Sequence, residues 1–249
     1  MKASQEQESI EIATHELGHV LGMNSDLFPL FRDEYGEPLT SRPLRPKTTR
    51  CADGSIRSNI ISPSDKTLVY TDFGYEIITP KTKSVVRNQF DCQTMSGARL
   101  ENQPTSPEDC FGSHWDERLF YTESMGAIYS NEANVLSPLT IALLEDSGWY
   151  IGNYTDVNIS TFGHGAGCDF VYEDCIQNNE VPSYSKGFFC NTPGSVTQLG
   201  IFTSQEFMCS PDLTHVAFCD LIDHSRLLPQ YQGPPPYKYQ YFSNKVRII

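Results

Sequence analysis

Two histidines four residues apart carry the clearest chemical signal in the sequence. His15 and His19 lie in the segment Ile-Glu-Ile-Ala-Thr-His-Glu-Leu-Gly-His-Val-Leu-Gly at residues 10–22. On an α-helix this spacing places both imidazoles on one face, one turn apart, where two neutral rings can bind one tetrahedral Zn²⁺. Glu16 follows the first histidine and is the candidate general base for a water held by the metal. The segment therefore predicts a hydrolytic zinc site.

The pattern around these histidines leaves two interpretations open. An ordinary amphipathic helix with two hydrogen-bonded histidines would show the same five residues by chance. The apolar setting favours a buried active-site helix; it consists of Ile10, Ile12, Ala13, Leu17, Val20 and Leu21. Gly22 extends the pattern to H-E-x-x-H-x-x-G, in which glycine permits a sharp turn out of the helix. Most metzincins have a third histidine three residues later, but this chain has Ser25 there. Either the third ligand lies elsewhere or the chain is not a metzincin.

The composition indicates a globular protein and excludes several function classes. The chain has 249 residues, of which 39% are hydrophobic, so it can bury a sizeable core. Its net charge of −13 argues against nucleic-acid binding, which needs a basic surface. No run approaches the roughly 18 apolar residues of a transmembrane segment.

The cysteines indicate an oxidising compartment. Their number is even, none forms a C-x-x-C pair, and we expect disulfides of a secreted, extracellular or cell-surface protein. They are Cys51, Cys92, Cys110, Cys168, Cys175, Cys190, Cys209 and Cys219. The short spans 168–175 and 209–219 are each candidates for a local disulfide loop. Glycosylation sequons at Asn153 and Asn158 agree with this compartment.

The start of the chain does not fit a secreted protein. The first residues, Met-Lys-Ala-Ser-Gln-Glu-Gln-Glu-Ser, are polar and acidic, whereas a signal peptide needs a basic segment followed by an apolar core. The metal helix also begins almost at residue 1, where a zinc peptidase normally has a sheet already built. We therefore expect that the chain lacks an N-terminal part of its catalytic domain.

A second helix is predicted at Ser137–Trp149. Ser137 is a suitable N-cap, Pro138 suits the first turn, and Gly148 suits the C-terminal cap. We expect its apolar face to pack near the metal helix. Elsewhere the sequence predicts strands at Thr67–Thr71 and Glu76–Thr79.

A third metal ligand has to be sought far from the helix. His114 lies beside Trp115 in Gly-Ser-His-Trp-Asp-Glu-Arg at 112–118. A lone loop histidine is usually a surface residue, but the other candidates lie in the Cys-rich tail: His164, His215 and His224. In Glu-Ser-Met-Gly, Met125 precedes a glycine, as in a tight turn under a zinc site, although a lone methionine is more often core filler.

Taken together, these segments resemble the leishmanolysin family of metzincin-type zinc metallopeptidases. The resemblance rests on Thr14-His15-Glu16-x-x-His19-x-x-Gly22, Ser113-His114-Trp115, Met125, Leu-Thr-x-Ala-x-x-Glu-Asp-x-Gly-Trp-Tyr at 139–150, and a Cys-rich tail with Tyr-Gln-Tyr-Phe. It covers nearly the whole chain. In that family a long insertion separates the third ligand from the helix, which accounts for Ser25.

The resemblance implies the roles of the site residues. His15, His19 and His114 would bind one Zn²⁺ per chain, and Met125 would form the Met-turn beneath it. Glu16 would activate a zinc-bound water for the hydrolysis of peptide bonds in protein or peptide substrates. The implied function is that of a zinc metalloendopeptidase.

The implied fold is α+β. Residues 1–151 would form the C-terminal part of a metzincin-like catalytic domain with an insertion at 33–110, and residues 152–249 a Cys-rich, loop-rich domain stapled by disulfides. The family's signal peptide, pro-segment and N-terminal subdomain are not recognised in the sequence. An alternative function is therefore a catalytically inactive remnant acting as a disulfide-rich binding or adhesion module. A closed structural zinc site is less favoured, because it would need neither Glu16 nor an open coordination position.

Overall fold

The fold mixes helices with small antiparallel sheets, as the α+β prediction states. The computed structural model describes residues 3–102, 109–127, 134–192, 195–196, 202–203, 207–209, 216–219, 221–223 and 239–241. Within these ranges the helices are α1 Ala3–Leu21, α2 Pro80–Phe90, α3 Glu117–Phe120, α4 Pro138–Asp146 and α5 Cys168–Tyr172. Short 3₁₀ helices lie at Phe28–Leu30 and Ser183–Ser185.

The described strands are short and pair with near neighbours in the chain. They are β1 Lys47–Arg50, β2 Ile56–Ile60, β3 Leu68–Thr71, β4 Gly74–Ile77, β5 Ala98–Arg99, β6 Ser195–Val196, β7 Phe202–Thr203, β8 Phe207–Cys209, β9 Val216–Phe218, β10 Leu221–Asp223 and β11 Tyr239–Tyr241. β3, β4 and β5 form one sheet, and the others form the two-stranded pairs β1–β2, β6–β7, β8–β9 and β10–β11. The two predicted strands correspond to β3 and β4. β4 ends at Ile77, because Thr79 already leads into α2.

The sheet continues beyond β5 through two isolated bridges. Trp115 pairs antiparallel with Leu100 and parallel with Gly126. The Trp115 N–H also donates a hydrogen bond of 2.9 Å to the Met125 carbonyl. The sheet edge thus fixes the backbone of the two segments that contain His114 and Met125.

The second predicted helix is confirmed as α4, although it ends at Asp146. The Ser137 hydroxyl caps it by accepting a hydrogen bond from the Leu139 N–H. Gly148 follows with φ +76°, and a Cβ there would lie 2.6 Å from the Arg32 carbonyl oxygen. A residue with a side chain would fit neither the turn nor the space.

Helix α2 packs against α4 and was not predicted. Pro80 directly follows the strand predicted at Glu76–Thr79, and it is the first residue of the helix, where its missing N–H costs nothing. The N–H groups of Lys81 and Thr82 donate to the two carboxylate oxygens of Asp146, at 3.2 and 2.8 Å. A side chain from the end of α4 therefore caps the start of α2.

Aromatic side chains form much of the hydrophobic core. Phe90 at the end of α2 packs against Phe120 and Phe170, and Phe170 packs against Phe162. These contacts join residues on both sides of position 152. The division of the chain into domains at 151/152 stays a prediction.

Three disulfides are present among the described residues, and the predicted local loops are wrong. The pairs are Cys51–Cys110, Cys92–Cys168 and Cys190–Cys219, whereas Cys175 and Cys209 are free thiols. Cys168 meets Cys92 because Gly167 N donates to the Phe90 carbonyl at the end of α2. In the hairpin, Cys209 lies opposite Val216, three residues from Cys219. Three residues of strand span roughly 10 Å, which a disulfide does not bridge.

The expectation that the apolar residues of α1 are buried is also wrong. Ile10, Leu17 and Val20 are 54%, 57% and 75% exposed. Of residues 6–21, only Gly18 is fully buried, and the partly buried residues Glu11, Thr14, His15 and His19 lie on the same face of the helix. The apolar residues instead form an exposed surface along the helix.

No helix within the described ranges is long and apolar enough to cross a membrane.

Candidate metal centre

Helix α1 brings the first two candidate ligands together. His15 and His19 lie one turn apart, with their ring centroids 4.7 Å from each other and their Nε2 atoms 3.1 Å apart. The helix ends directly after them, where the N–H groups of Gly22 and Met23 both donate to the Gly18 carbonyl. A Cβ on Gly22 would lie 3.1 Å from Leu144 Cδ2 of α4, so α4 closely approaches this end of the helix as expected.

The sheet edge brings His114 to the same point. Its ring centroid lies 5.3 Å from that of His15 and 4.8 Å from that of His19. One ring nitrogen from each histidine lies within 4.8 Å of the others, and the His114 side chain is only 12% exposed. His164 instead faces Gln89, at 3.3 Å from Nδ1 to Oε1. The other tail candidates, His215 and His224, lie outside the described residues.

The hydrogen bonds of the three rings fit a metal cation. His15 Nδ1 faces the Ser124 carbonyl at 2.6 Å, and His19 Nδ1 faces the Met23 carbonyl at 2.7 Å. A carbonyl oxygen only accepts, so each Nδ1 must carry the proton and each neutral ring keeps a lone pair on Nε2. Two such lone pairs at 3.1 Å have no proton to share. The separation is close to the roughly 3.3 Å between two nitrogens of a tetrahedral zinc site.

Electrostatics favour the same neutral form of the helix histidine. Burial lowers the pKa of His15, and the nearby imidazoles of His19 and His114 lower that pKa further. The hydrogen bond to Ser124 and the charge of Glu16 oppose the shift. Neutral imidazole is the form that binds metal ions.

Met125 packs against helix α1 at Gly18, between the two histidines in the sequence. It occupies a tight turn in which the Gly126 N–H donates to the Glu123 carbonyl at 3.0 Å, and its side chain is 1% exposed. A Cβ added at Gly18 would lie 2.2 Å from Met125 Sδ. Gly18 is therefore required between the two histidines, a role that sequence reasoning missed. The same turn supplies the Ser124 carbonyl for His15.

A buried carboxyl supports this turn from below. Glu123 is 3% exposed, and burial raises its pKa to about 7. The Thr140 hydroxyl of α4 donates to Glu123 Oε1 and accepts a 3.0 Å hydrogen bond from Trp115 Nε1. α4 thereby connects the methionine turn to the segment that carries His114.

A second buried carboxylate contacts His114 directly and was also missed. Glu101 Oε1 lies 2.7 Å from His114 Nδ1 and accepts a 2.9 Å hydrogen bond from the Ser113 N–H. No sequence motif marks Glu101. The only available signal was general, since a metal-binding histidine usually donates its second ring N–H to an acceptor.

The candidate base Glu16 is exposed on α1 beside His15. It borders a cleft of about 160 Å³ whose other lining residues are Glu11, Ile12, His15, Ser124, Ala127 and Asn134. Asn134 Nδ2 donates to Glu11 Oε2 at 3.0 Å across this cleft. The cleft thus exposes Glu16 and one of the three histidines, His15, to the same space.

This arrangement has the form of a candidate metallopeptidase centre, and comparison with known proteins agrees. The chain matches the family model described as Leishmanolysin over residues 1–248. It is 31% identical over 246 residues to the leishmanolysin-like peptidase of Drosophila melanogaster, a match covering 93% of this chain and 35% of that protein. The Caenorhabditis elegans leishmanolysin-like peptidase is 29% identical over 254 residues, covering 94% and 37%.

A further relative carries a different name. The ciliated left-right organizer metallopeptidase of Xenopus laevis is 31% identical over 186 residues, covering 73% of this chain and 22% of that protein. The chain belongs to the leishmanolysin family, which confirms the resemblance inferred from the motifs. It spans about a third of the length of the leishmanolysin-like relatives.

Proposed function

We propose that this chain carries the catalytic centre of a zinc metalloendopeptidase, with His15, His19 and His114 as zinc ligands. The observation that carries the proposal is the convergence of three imidazoles whose Nδ1 atoms all face acceptors. Membership of a family whose matched relatives are named peptidases and metallopeptidases supports the same class. Met125, packed against Gly18, would form the Met-turn beneath the metal.

A catalytic site explains the ligand set better than a structural site. Among the described residues, no cysteine, carboxylate or further histidine joins the cluster as a fourth ligand. Structural zinc is almost always held by four protein ligands, whereas catalytic zinc keeps one position open. When bound, Zn²⁺ polarises a carbonyl and lowers the pKa of a water it holds to about 7.

Glu16 would move the proton in the reaction. Its carboxylate is exposed beside the cleft, next to His15, so it can accept a proton from the attacking water. The same carboxyl can then return the proton to the leaving amine of the peptide. Protein or peptide chains are therefore the proposed substrates. The three disulfides agree with an oxidising compartment, and we place this activity outside the cell or at its surface.

Zinc content and peptide cleavage, measured on the same samples, test the proposal. We expect one zinc per chain in the wild type and in Glu16→Ala, with cleavage of a quenched peptide largely lost only in Glu16→Ala. Glu8→Ala is the matched control, because Glu8 is exposed on the same helix and does not line the cleft. Full cleavage by Glu16→Ala would remove this residue from its proposed role.

One observation favours a second candidate function, that of a binding module. The exposed apolar side chains of Ile10, Leu17 and Val20 form a surface that a protein partner would cover. Zinc binding without cleavage by any of the three proteins would support this alternative and leave the ligand assignment in place.

A further inference from the structure

We propose that Glu101 is a positioning residue for the metal centre, whose carboxylate holds His114 in the tautomer and orientation that leave Nε2 for the metal. The inference rests on the proposed function, because it assumes that His114 is a zinc ligand. It extends that proposal to a residue that no motif marks.

The contact geometry supports a specific hydrogen bond. Glu101 Oε1 lies 2.7 Å from His114 Nδ1, and the two side chains are 3% and 12% exposed. A carboxylate only accepts, so the His114 Nδ1 must donate and its neutral ring then has its lone pair on Nε2. Both side chains are largely shielded from water, so hydrogen bonds to solvent would not compensate for the loss of this bond.

The surrounding backbone is arranged to admit this carboxylate. The Glu101 N–H donates to the His114 carbonyl at 3.0 Å, so the two residues are held side by side. Gly112 has φ +85°, and a Cβ there would lie 2.7 Å from Glu101 Cγ. Only glycine permits this close passage of the loop over the side chain.

Glu101 differs from the acceptors of the other two histidines. His15 and His19 donate to the backbone carbonyls of Ser124 and Met23, and the helix already sets their spacing. His114 lies outside the helix, so its ring direction depends on its own acceptor. A charged acceptor forms a stronger hydrogen bond than a carbonyl and raises the basicity of the bound imidazole.

A purely structural role is the competing explanation. Glu101 Oε1 also accepts the Ser113 N–H at 2.9 Å, and this bond alone would order the loop. A structural residue would change the stability of the protein without a specific effect on zinc affinity. The two roles therefore predict different measurements.

The first test compares zinc affinity in Glu101→Gln and Glu76→Gln. Both variants replace a buried carboxyl by an amide of the same shape, but Glu76 accepts hydrogen bonds from Thr71 and Ser96 in the sheet and from none of the three histidines. Competition with a chromophoric chelator should show zinc bound about 10–100-fold more weakly by Glu101→Gln. Glu76→Gln should bind zinc as the wild type does. Equal affinity in all three folded proteins would overturn the proposal.

The second test needs no variant and covers the case in which Glu101→Gln does not fold. Long-range ¹H–¹⁵N spectra of the wild-type imidazoles, on the chain as purified, report which nitrogen of His114 carries the proton. We expect the proton on Nδ1, and a proton on Nε2 would overturn the proposal. A wild type that binds no zinc but keeps the Nδ1 proton would instead contradict the proposed function while leaving the Glu101 contact intact.

Discussion

Replacing Gly18 by alanine tests the packing of the methionine turn against the metal helix. Alanine is the better helix former, and in a helix interior the change from glycine gains about 1 kcal/mol. Here the new methyl group would lie 2.2 Å from Met125 Sδ and 3.0 Å from Met125 Cε. Because Met125 is only 1% exposed, it cannot move into solvent, and overpacking of a buried site costs about 1–3 kcal/mol.

The two effects predict that Gly18→Ala lowers Tm in the wild type and raises Tm in a Met125→Ala background. In the wild type the clash outweighs the helix propensity, and the net loss of about 1 kcal/mol lowers Tm by roughly 2–4 °C for a chain of this size. Met125→Ala removes Sδ and costs about 2–5 kcal/mol by itself. In that background Gly18→Ala should raise Tm, because only the helix propensity remains.

The assay is a double-mutant cycle measured by thermal unfolding with and without zinc. The coupling energy of Gly18→Ala and Met125→Ala measures the contact between position 18 and the Met125 side chain, since each variant also serves as the control for the other. If Gly18→Ala stabilised both backgrounds equally, Met125 would not lie against the helix in the way described, and its role as the Met-turn would lose its physical basis.

Two further predictions concern pH and the disulfides. Burial raises the pKa of Glu123 to about 7 from its ordinary 4.5, so its contribution to stability is present below pH 4.5 and lost as pH rises through about 7. Urea midpoints measured from about pH 5 to 8 should therefore fall less steeply for Glu123→Gln, and an unchanged slope would contradict the burial. The double variant Cys92→Ser, Cys168→Ser removes a disulfide that spans 76 residues. It should lower the free energy of unfolding in urea by about 4 kcal/mol, as selective reduction of that bond would. An unchanged urea midpoint would contradict the pairing.

Sequence reasoning was most successful where chemistry and spacing are local. A separation of four residues suffices to place His15 and His19 on one helical face, and Ser137 and Pro138 are sufficient to mark the start of α4. Position 114 was different. The sequence alone made His114 only the better candidate among the remaining histidines, and the family resemblance then implied that it joins the other two.

The failures have a common cause, since each depends on a distant partner. The start of α2 is capped by Asp146, more than sixty residues away, so the local sequence around Pro80 resembled the end of a strand. Cys168 pairs with Cys92 and not with the nearby Cys175, because α5 packs on the end of α2, which the local sequence does not show. The apolar residues of α1 are exposed although the sequence predicts their burial, because amphipathicity indicates a face that can be covered and not what covers it.

The position of Ser25 shows how His114, 95 residues beyond His19, reaches the same cluster. Ser25 N–H donates to Ser113 Oγ at 3.1 Å, and His114 is the next residue. Two residues before Ser25, the Met23 carbonyl accepts from His19. The exit of the helix therefore orients one candidate ligand and anchors the segment that carries another.

Two contacts hold the segment that carries His114. The Ser25 N–H at the helix exit donates to Ser113, and Trp115 pairs with Leu100 at the sheet edge. Leu100 belongs to the predicted insertion at 33–110 and is held by it, because its N–H donates to the Tyr75 carbonyl. Glu101 follows Leu100 and provides a side chain that contacts the candidate ligand His114. We therefore expect substitutions at this edge of the insertion to alter the affinity for zinc, and substitutions remote from it to alter stability alone.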